Sequence, residues 1–231
     1  MKKRQNKLNK LSIYSLLVVF CLLTVACSSS SSNLSIEDSK LSSQILLKRQ
    51  YPALTDKWSN QYLSQLNRNI TSLLNLNNFK CKNSSQIILT DNKQLIANTI
   101  DKKIYLSTRM ISQLRNESEL VFILAHENAH ISLCHLNHRH TKDDIAKLEL
   151  AADRLALQIF AQLHYPSSTP LLLLNRLYRN NNLDPFNQTH PGLEQRIYSL
   201  RKTPPERYFS KKVNNQNFNH LKSRLRLNAL R

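Results

Sequence analysis

The stretch Glu117-Ser118-Glu119-Leu120-Val121-Phe122-Ile123-Leu124-Ala125-His126-Glu127-Asn128-Ala129-His130 decides how this chain is read. Asn116 stands before it as a helix cap, and Glu117 and Glu119 complement the helix dipole in the first turn. The apolar run over 120–133 carries the helix to about Leu136. His126 and His130 are four residues apart, so both imidazoles share one helical face and can converge on a single zinc ion. Glu127 follows the first histidine and points beside that ion, where a carboxylate can deprotonate a water. Read without a metal, the same segment is a helix with two core-facing histidines and a capping glutamate.

Working outward, a second helix is expected over about 143–163, joined through a Thr141-Lys142-Asp143 turn. It carries Glu149 and, one turn later on the same face, Asp153. Glu149 could complete a His₂Glu set with the fourth position left to water, and Asp153 could accept a hydrogen bond from a ligand histidine. Leu148, Leu150, Ala151, Ala152 and Leu155 surround the pair and argue against an exposed acidic face. Upstream, Leu54, Trp58, Tyr62, Leu66, Ile70, Leu73 and Leu74 predict one long amphipathic helix. Short β-like segments follow at 87–89, 95–99 and 103–106, separated by Asp91-Asn92 and Asp101-Lys102 turn signals. Ser107 or Thr108 can cap a short helix, and further helices are expected near 170–179 and 191–201. The fold class is α+β, mostly α.

Composition narrows the function. The chain has 231 residues, a net charge of +18 and a single glycine, where typical usage would supply about sixteen. P-loops, dinucleotide fingerprints and collagen repeats all need several glycines at fixed spacing and are excluded. Lys2, Lys3, Arg4, Lys7 and Lys10 precede an apolar run over 11–26, the layout of an export signal. Leu23-Thr24-Val25-Ala26-Cys27 looks like a bacterial lipobox, with Cys27 the lipidated residue and the serines at 28–32 a flexible tether. The expected organisation is a signal peptide over 1–26, a tether over 27–36, a zinc domain over 37–202 and a basic tail over 203–231. From Arg196 to Arg231 there are ten Lys and Arg against Glu206 alone. Anionic headgroups or acidic surface polymers suit that charge better than nucleic acid, which is not expected as a partner; a solvated basic helix is the plainer reading. Cys81 and Cys134 are expected to be buried as small apolar residues, and their separation leaves a disulfide open. Cys134, His135, His138 and His140 read as a polar helix end, with a second metal site as the alternative. His164 and His220 receive no role.

Three motifs in order, Leu124-Ala125-His126-Glu127-x-x-His130, then Glu149-x-x-Ala152-Asp153, then Thr189-His190-Pro191 with Arg196-Ile197, resemble the gluzincin metallopeptidases of the CAAX prenyl protease, HtpX and Oma-type group, in its short lipoprotein branch. The resemblance runs from Leu54 to about Lys202. It implies a zincin-like core, one Zn²⁺ held by His126, His130 and Glu149, and Glu127 as general base. Asp153 would support a ligand, and Arg196 would bond within the domain, to Asp153 or a carbonyl. His190 would lie near the metal, steadying an oxyanion or occupying the open position. Lys103, Ile104, Tyr105 and Leu106 would form the edge strand that binds an extended substrate. The family usually has glycines where this chain reads Asp101-Lys102-Lys103, and an apolar or small residue where it has Asn128. The implied activity is that of a zinc-dependent endopeptidase of the bacterial cell envelope acting on unfolded or misassembled envelope proteins. A non-catalytic, zinc-containing chaperone or assembly factor is the alternative. Ser28 after the lipid cysteine favours the outer membrane, facing the periplasm, in a cell with two membranes. The one glycine, Gly192, directly follows His190-Pro191.

Overall fold

The computed structural model describes residues 43–137, 142–179, 192–202, 213 and 215–228. These divide between two units, residues 1–50 and 51–231. Of the first, a helix over 43–50 (α1) is described, exposing Ile45 and Leu46. Cys27, the signal and the tether lie outside the described residues, as does His190.

In the second unit, the Asp56 carboxylate accepts from the Ser59 N–H at 2.9 Å and starts α2 (Lys57–Leu76). Leu63, Leu66, Ile70 and Leu74 form its buried stripe. Three strands follow: β1 (Gln86–Thr90), β2 (Ala97–Ile100) and β3 (Lys103–Ser107). Asp101 and Lys102, with φ of 48° and 58°, make the tight turn between β2 and β3 without glycine. The sheet order is β1-β3-β2, with β3 parallel to β1 (Ile87 opposite Ile104) and antiparallel to β2 (Thr99 opposite Ile104). The expected edge strand at Lys103, Ile104, Tyr105 and Leu106 is therefore the central strand, and β2 is an edge. The reason is visible in burial: Ile104 to Leu106 is a continuous buried run, covered on both faces, whereas β2 alternates.

Ser107 ends β3 and caps α3 (Thr108–Gln113), its Oγ accepting from Met110 N–H at 3.0 Å. Asn116 caps α4 (Glu117–Ser132) by accepting from Glu119 N–H at 2.9 Å. From Ser118 to Ser132 every residue of α4 is buried, the apolar run over 120–125 and the polar Glu119, His126, Glu127, Asn128 and His130 alike, so the helix is enclosed on all sides. It is the central element, packed against α2, β2, α5 (Lys142–Gln162) and α6 (Thr169–Arg179). The helix stops at Ser132 rather than near Leu136, because Cys134 turns to a left-handed φ of 63°. Next, α7 (Leu193–Lys202) packs on α5 and α6. Gly192 before it has a φ of +80°, a conformation that residues with a side chain rarely adopt, so the chain's one glycine stands where the backbone favours it.

The last helix, α8 (Gln216–Asn228), changes the reading of the basic tail. Phe218, Leu221 and Leu225 are buried in the common core. The Lys222 ammonium donates to the carbonyls of Ser112 and Leu114, at 3.0 and 2.8 Å, at the C-terminal end of α3. Arg224 binds Asp56, the cap of α2. The described end of the tail is thus a packed amphipathic helix within the unit over 51–231, because its apolar residues recur at helical spacing among the charges.

Candidate metal centre

His126 and His130 leave α4 one turn apart, and Glu149 reaches them from α5. The His126 Nε2 lies 3.1 Å from the His130 Nε2. Glu149 completes the triangle, with Oε2 3.3 Å from the His126 Nε2 and Oε1 3.3 Å from the His130 Nε2. Donors at zinc bonding distance on a tetrahedron stand about 3.3 Å apart; the two imidazole nitrogens meet that spacing, each faces a different oxygen of Glu149, and one donor atom from each of the three residues lies within 4.8 Å of the others. Among the described residues they are the group of His, Cys, Asp and Glu so disposed, and all three are buried.

The charge of the surroundings fits a cation. Glu127, Glu149 and Asp153 are buried together with one guanidinium, that of Arg196. Arg196 holds Asp153 with two bonds, Nε to Oδ2 at 2.7 Å and Nη2 to Oδ1 at 2.8 Å, and its Nη1 lies 3.0 Å from Glu149 Oε2. Burial would raise the Asp153 carboxyl, but Arg196 and then His126 outweigh it and hold it well below the usual carboxylate range. Asp153 Oδ1 in turn lies 3.0 Å from the His126 Nδ1. Burial and Arg196 push the His126 imidazole down, yet its bonds to Asp153 and Glu149 prevail and raise it to about 9. Burial lowers His130. The carboxylates thus favour positive charge where the two imidazoles and Glu149 meet.

Glu127 projects on the β2 side of α4. The Thr99 hydroxyl donates to its Oε2 at 2.6 Å, which fixes the carboxylate on the edge strand. A small cavity, of about 10 Å³, lies beside it, lined by Phe122, Ile123, Leu173, Leu174, Leu177 and other side chains.

Several of these partners were not foreseen. Thr99 gave no signal, since a threonine in a strand is ordinary. Asn128 faces away from the metal side and joins a buried polar network. Its amide donates to Asn67 Oδ1 (2.8 Å) and Leu124 O (2.7 Å), and its Oδ1 accepts from Ser85 Oγ (2.5 Å). Asn83 adds bonds to Asn128 O (3.0 Å) and Ser132 Oγ (3.3 Å). An asparagine in an otherwise apolar helix was the available signal, because a buried amide must be paired. Cys81 and Cys134 are bonded and half-buried, not separate apolar residues; α4 and the loop before β1 bring their Cα atoms to 5.5 Å. That bond excludes Cys134 as a second-site ligand, and His138 and His140 lie outside the described residues. His135 instead meets His130, Nδ1 to Nδ1 at 2.9 Å.

Residues 58–148 match the sequence model of peptidase family M48, consistent with a gluzincin metallopeptidase. The match includes His126, Glu127 and His130 and ends one residue before Glu149. No curated protein matches the chain.

Proposed function

Starting from a gluzincin metallopeptidase of family M48, we propose that this protein is a zinc-dependent endopeptidase of the cell envelope that cleaves unfolded or misassembled proteins. The observation that carries the reading is the triangle of His126, His130 and Glu149 at 3.1–3.3 Å beside the held carboxylate of Glu127. His126, His130 and Glu149 would hold the zinc, which when bound polarises a peptide carbonyl and acidifies a water. Glu127 would serve as general base and then general acid, holding a proton on Oε1, the oxygen that Thr99 does not engage, between the attacking water and the leaving amine. Asp153, clamped by Arg196, keeps the His126 Nδ1 protonated, so that Nε2 presents its lone pair. His190 is proposed to steady the oxyanion or to occupy the open position.

An extended substrate would pair with the outer side of β2 rather than with β3. Ser107 N–H bonds Ile96 O at 2.9 Å, and with the two-residue period of an antiparallel ladder this turns the Thr99 backbone away from β3. Main-chain pairing makes little demand on sequence, which suits unfolded substrates. Lipidated Cys27 would anchor the protein, at the outer membrane facing the periplasm in a cell with two membranes; no helix among the described residues is long and apolar enough to cross one. Contact with anionic lipid or polymer would fall to tail residues other than Lys222 and Arg224, which α3 and α2 already engage.

A zinc-containing chaperone would need the three ligands but not Glu127 on its Thr99 tether. Glu127→Gln therefore separates the two readings. We expect it to retain stoichiometric zinc while cleavage of an unfolded protein falls by at least about 10³-fold. Undiminished cleavage by the variant, or wild-type protein that binds zinc and cleaves nothing, would overturn the peptidase reading.

A further inference from the structure

His126 and His130 are held from behind in different ways. The Nδ1 of His126 meets a carboxylate, whereas the Nδ1 of His130 meets the Nδ1 of His135 at 2.9 Å. At that distance one ring must donate and the other accept. His130 directs Nε2 toward Glu149, and a ligating Nε2 must keep its lone pair, so Nδ1 carries the hydrogen. His135 is then the acceptor and holds its own hydrogen on Nε2.

The main chain places His135 there. Leu133 N–H closes α4 on Ala129 O at 2.9 Å, and Cys134 N–H bonds Ile131 O at 3.1 Å while its left-handed φ reverses the chain. A single 3₁₀ turn, His135–Asn137, follows and brings the imidazole back to the helix it has just left. Cys134 is tied to Cys81, and two residues beyond Cys81 the Asn83 amide bonds Asn128 O and Ser132 Oγ on α4. The turn is thus fastened covalently to a loop that is itself hydrogen-bonded to the metal-bearing helix.

We propose that His135 is a positioning residue for His130, and that the Cys81–Cys134 bond, by holding the turn that carries it, couples zinc affinity to the oxidation state of these cysteines. The inference rests on the zinc-peptidase reading. Reduction of the bond takes two electrons and two protons from an external dithiol and yields two thiols; it releases the turn and with it the acceptor behind His130.

The test is zinc affinity of the full chain by competition with a chromophoric chelator. His135→Phe keeps the ring but removes the acceptor, and should weaken zinc about 10–100-fold. His135→Gln supplies an amide oxygen and should stay close to wild type. Thermal unfolding of the chelator-treated protein should be the same for both variants. Cys81→Ser/Cys134→Ser, and the folded wild type after reduction, should each lose affinity in the same direction. Adding His135→Phe to the reduced or serine form should then cost little more, since both act through one contact. Wild-type affinity in His135→Phe, or equal losses in the Phe and Gln variants, overturns the positioning role. Full additivity of the His135 and cysteine effects overturns the redox link. A wild type that takes up no zinc overturns both this and the peptidase reading, whereas tight zinc with unchanged His135→Phe overturns this inference alone.

Discussion

Two arginine–aspartate pairs in this protein share a geometry and differ in almost everything else. Arg196 grips Asp153 through Nε and Nη2, and Arg224 grips Asp56 through the same two nitrogens. The first pair is sealed in the core behind His126; the second joins α8 to the cap of α2, and its Arg224 side chain is 39% exposed. A buried guanidinium has lost its hydration, so its carboxylate is irreplaceable unless both are removed. An exposed one trades a carboxylate for water at small cost. Equal hydrogen-bond counts therefore do not mean equal contributions; burial decides.

The largest break in that comparison is Asp153→Ala. It strips buried Arg196 of both hydrogen bonds to Asp153, leaving Glu149 beside it, and should cost about 3–5 kcal/mol of stability by denaturant unfolding, with a marked loss of zinc affinity. The Asp153→Leu/Arg196→Met double variant sharpens the point. Removing both charges together should return stability to within about 1–2 kcal/mol of wild type, yet zinc affinity should remain low because His126 has lost its acceptor. A double variant that regained both properties would mean that Asp153 serves packing alone.

The smallest effect belongs to Asp56. The hydrogen bond from Arg224, opposed by partial burial and helped by Ser59, holds its carboxyl well below the ordinary range. A depressed folded-state value means that the contribution is fully present above the unfolded pKa of about 3.9 and fades as pH falls through the folded value. Wild type should therefore lose stability on acidification below about pH 4. Asp56→Asn still caps α2 and should lose less over the same window. Parallel stability curves for the two proteins would remove the exposed pair from the comparison.

Much of the fold was legible in residue patterns. Asn116 as a cap, the ligand spacing in α4, the reach of α5 and the turn signals between strands all depend on neighbours within a few positions. The order of the strands is of another kind. Each of the three segments reads as a short strand, and Ala97-Asn98-Thr99-Ile100 shows no alternation of apolar and polar residues; that β3 is central and β2 an edge appears only in the folded burial, continuous over 104–106 and alternating over 97–100. The fate of α8 was hidden for a related reason: the ten-to-one basic stretch over 196–231, of which α8 carries Lys222, Arg224 and Arg226, suggested a solvated surface, while Phe218, Leu221 and Leu225 carried the packing.

The candidate metal site divides along the same line. His126, Glu127 and His130 are a property of helix geometry, since residues four apart on a helix must share a face whatever surrounds it. Which groups stand behind them is not. Asp153 behind His126 is the exception, expected from its place one turn after Glu149, with Arg196 on it implied by the family resemblance; Thr99 on Glu127, and the Cys81–Cys134 bond that holds His135 behind His130, span up to 53 residues. Such partners are chosen by packing. A polar group buried in the core must find its complement wherever the folded chain has carried it, and local pattern holds no record of that place.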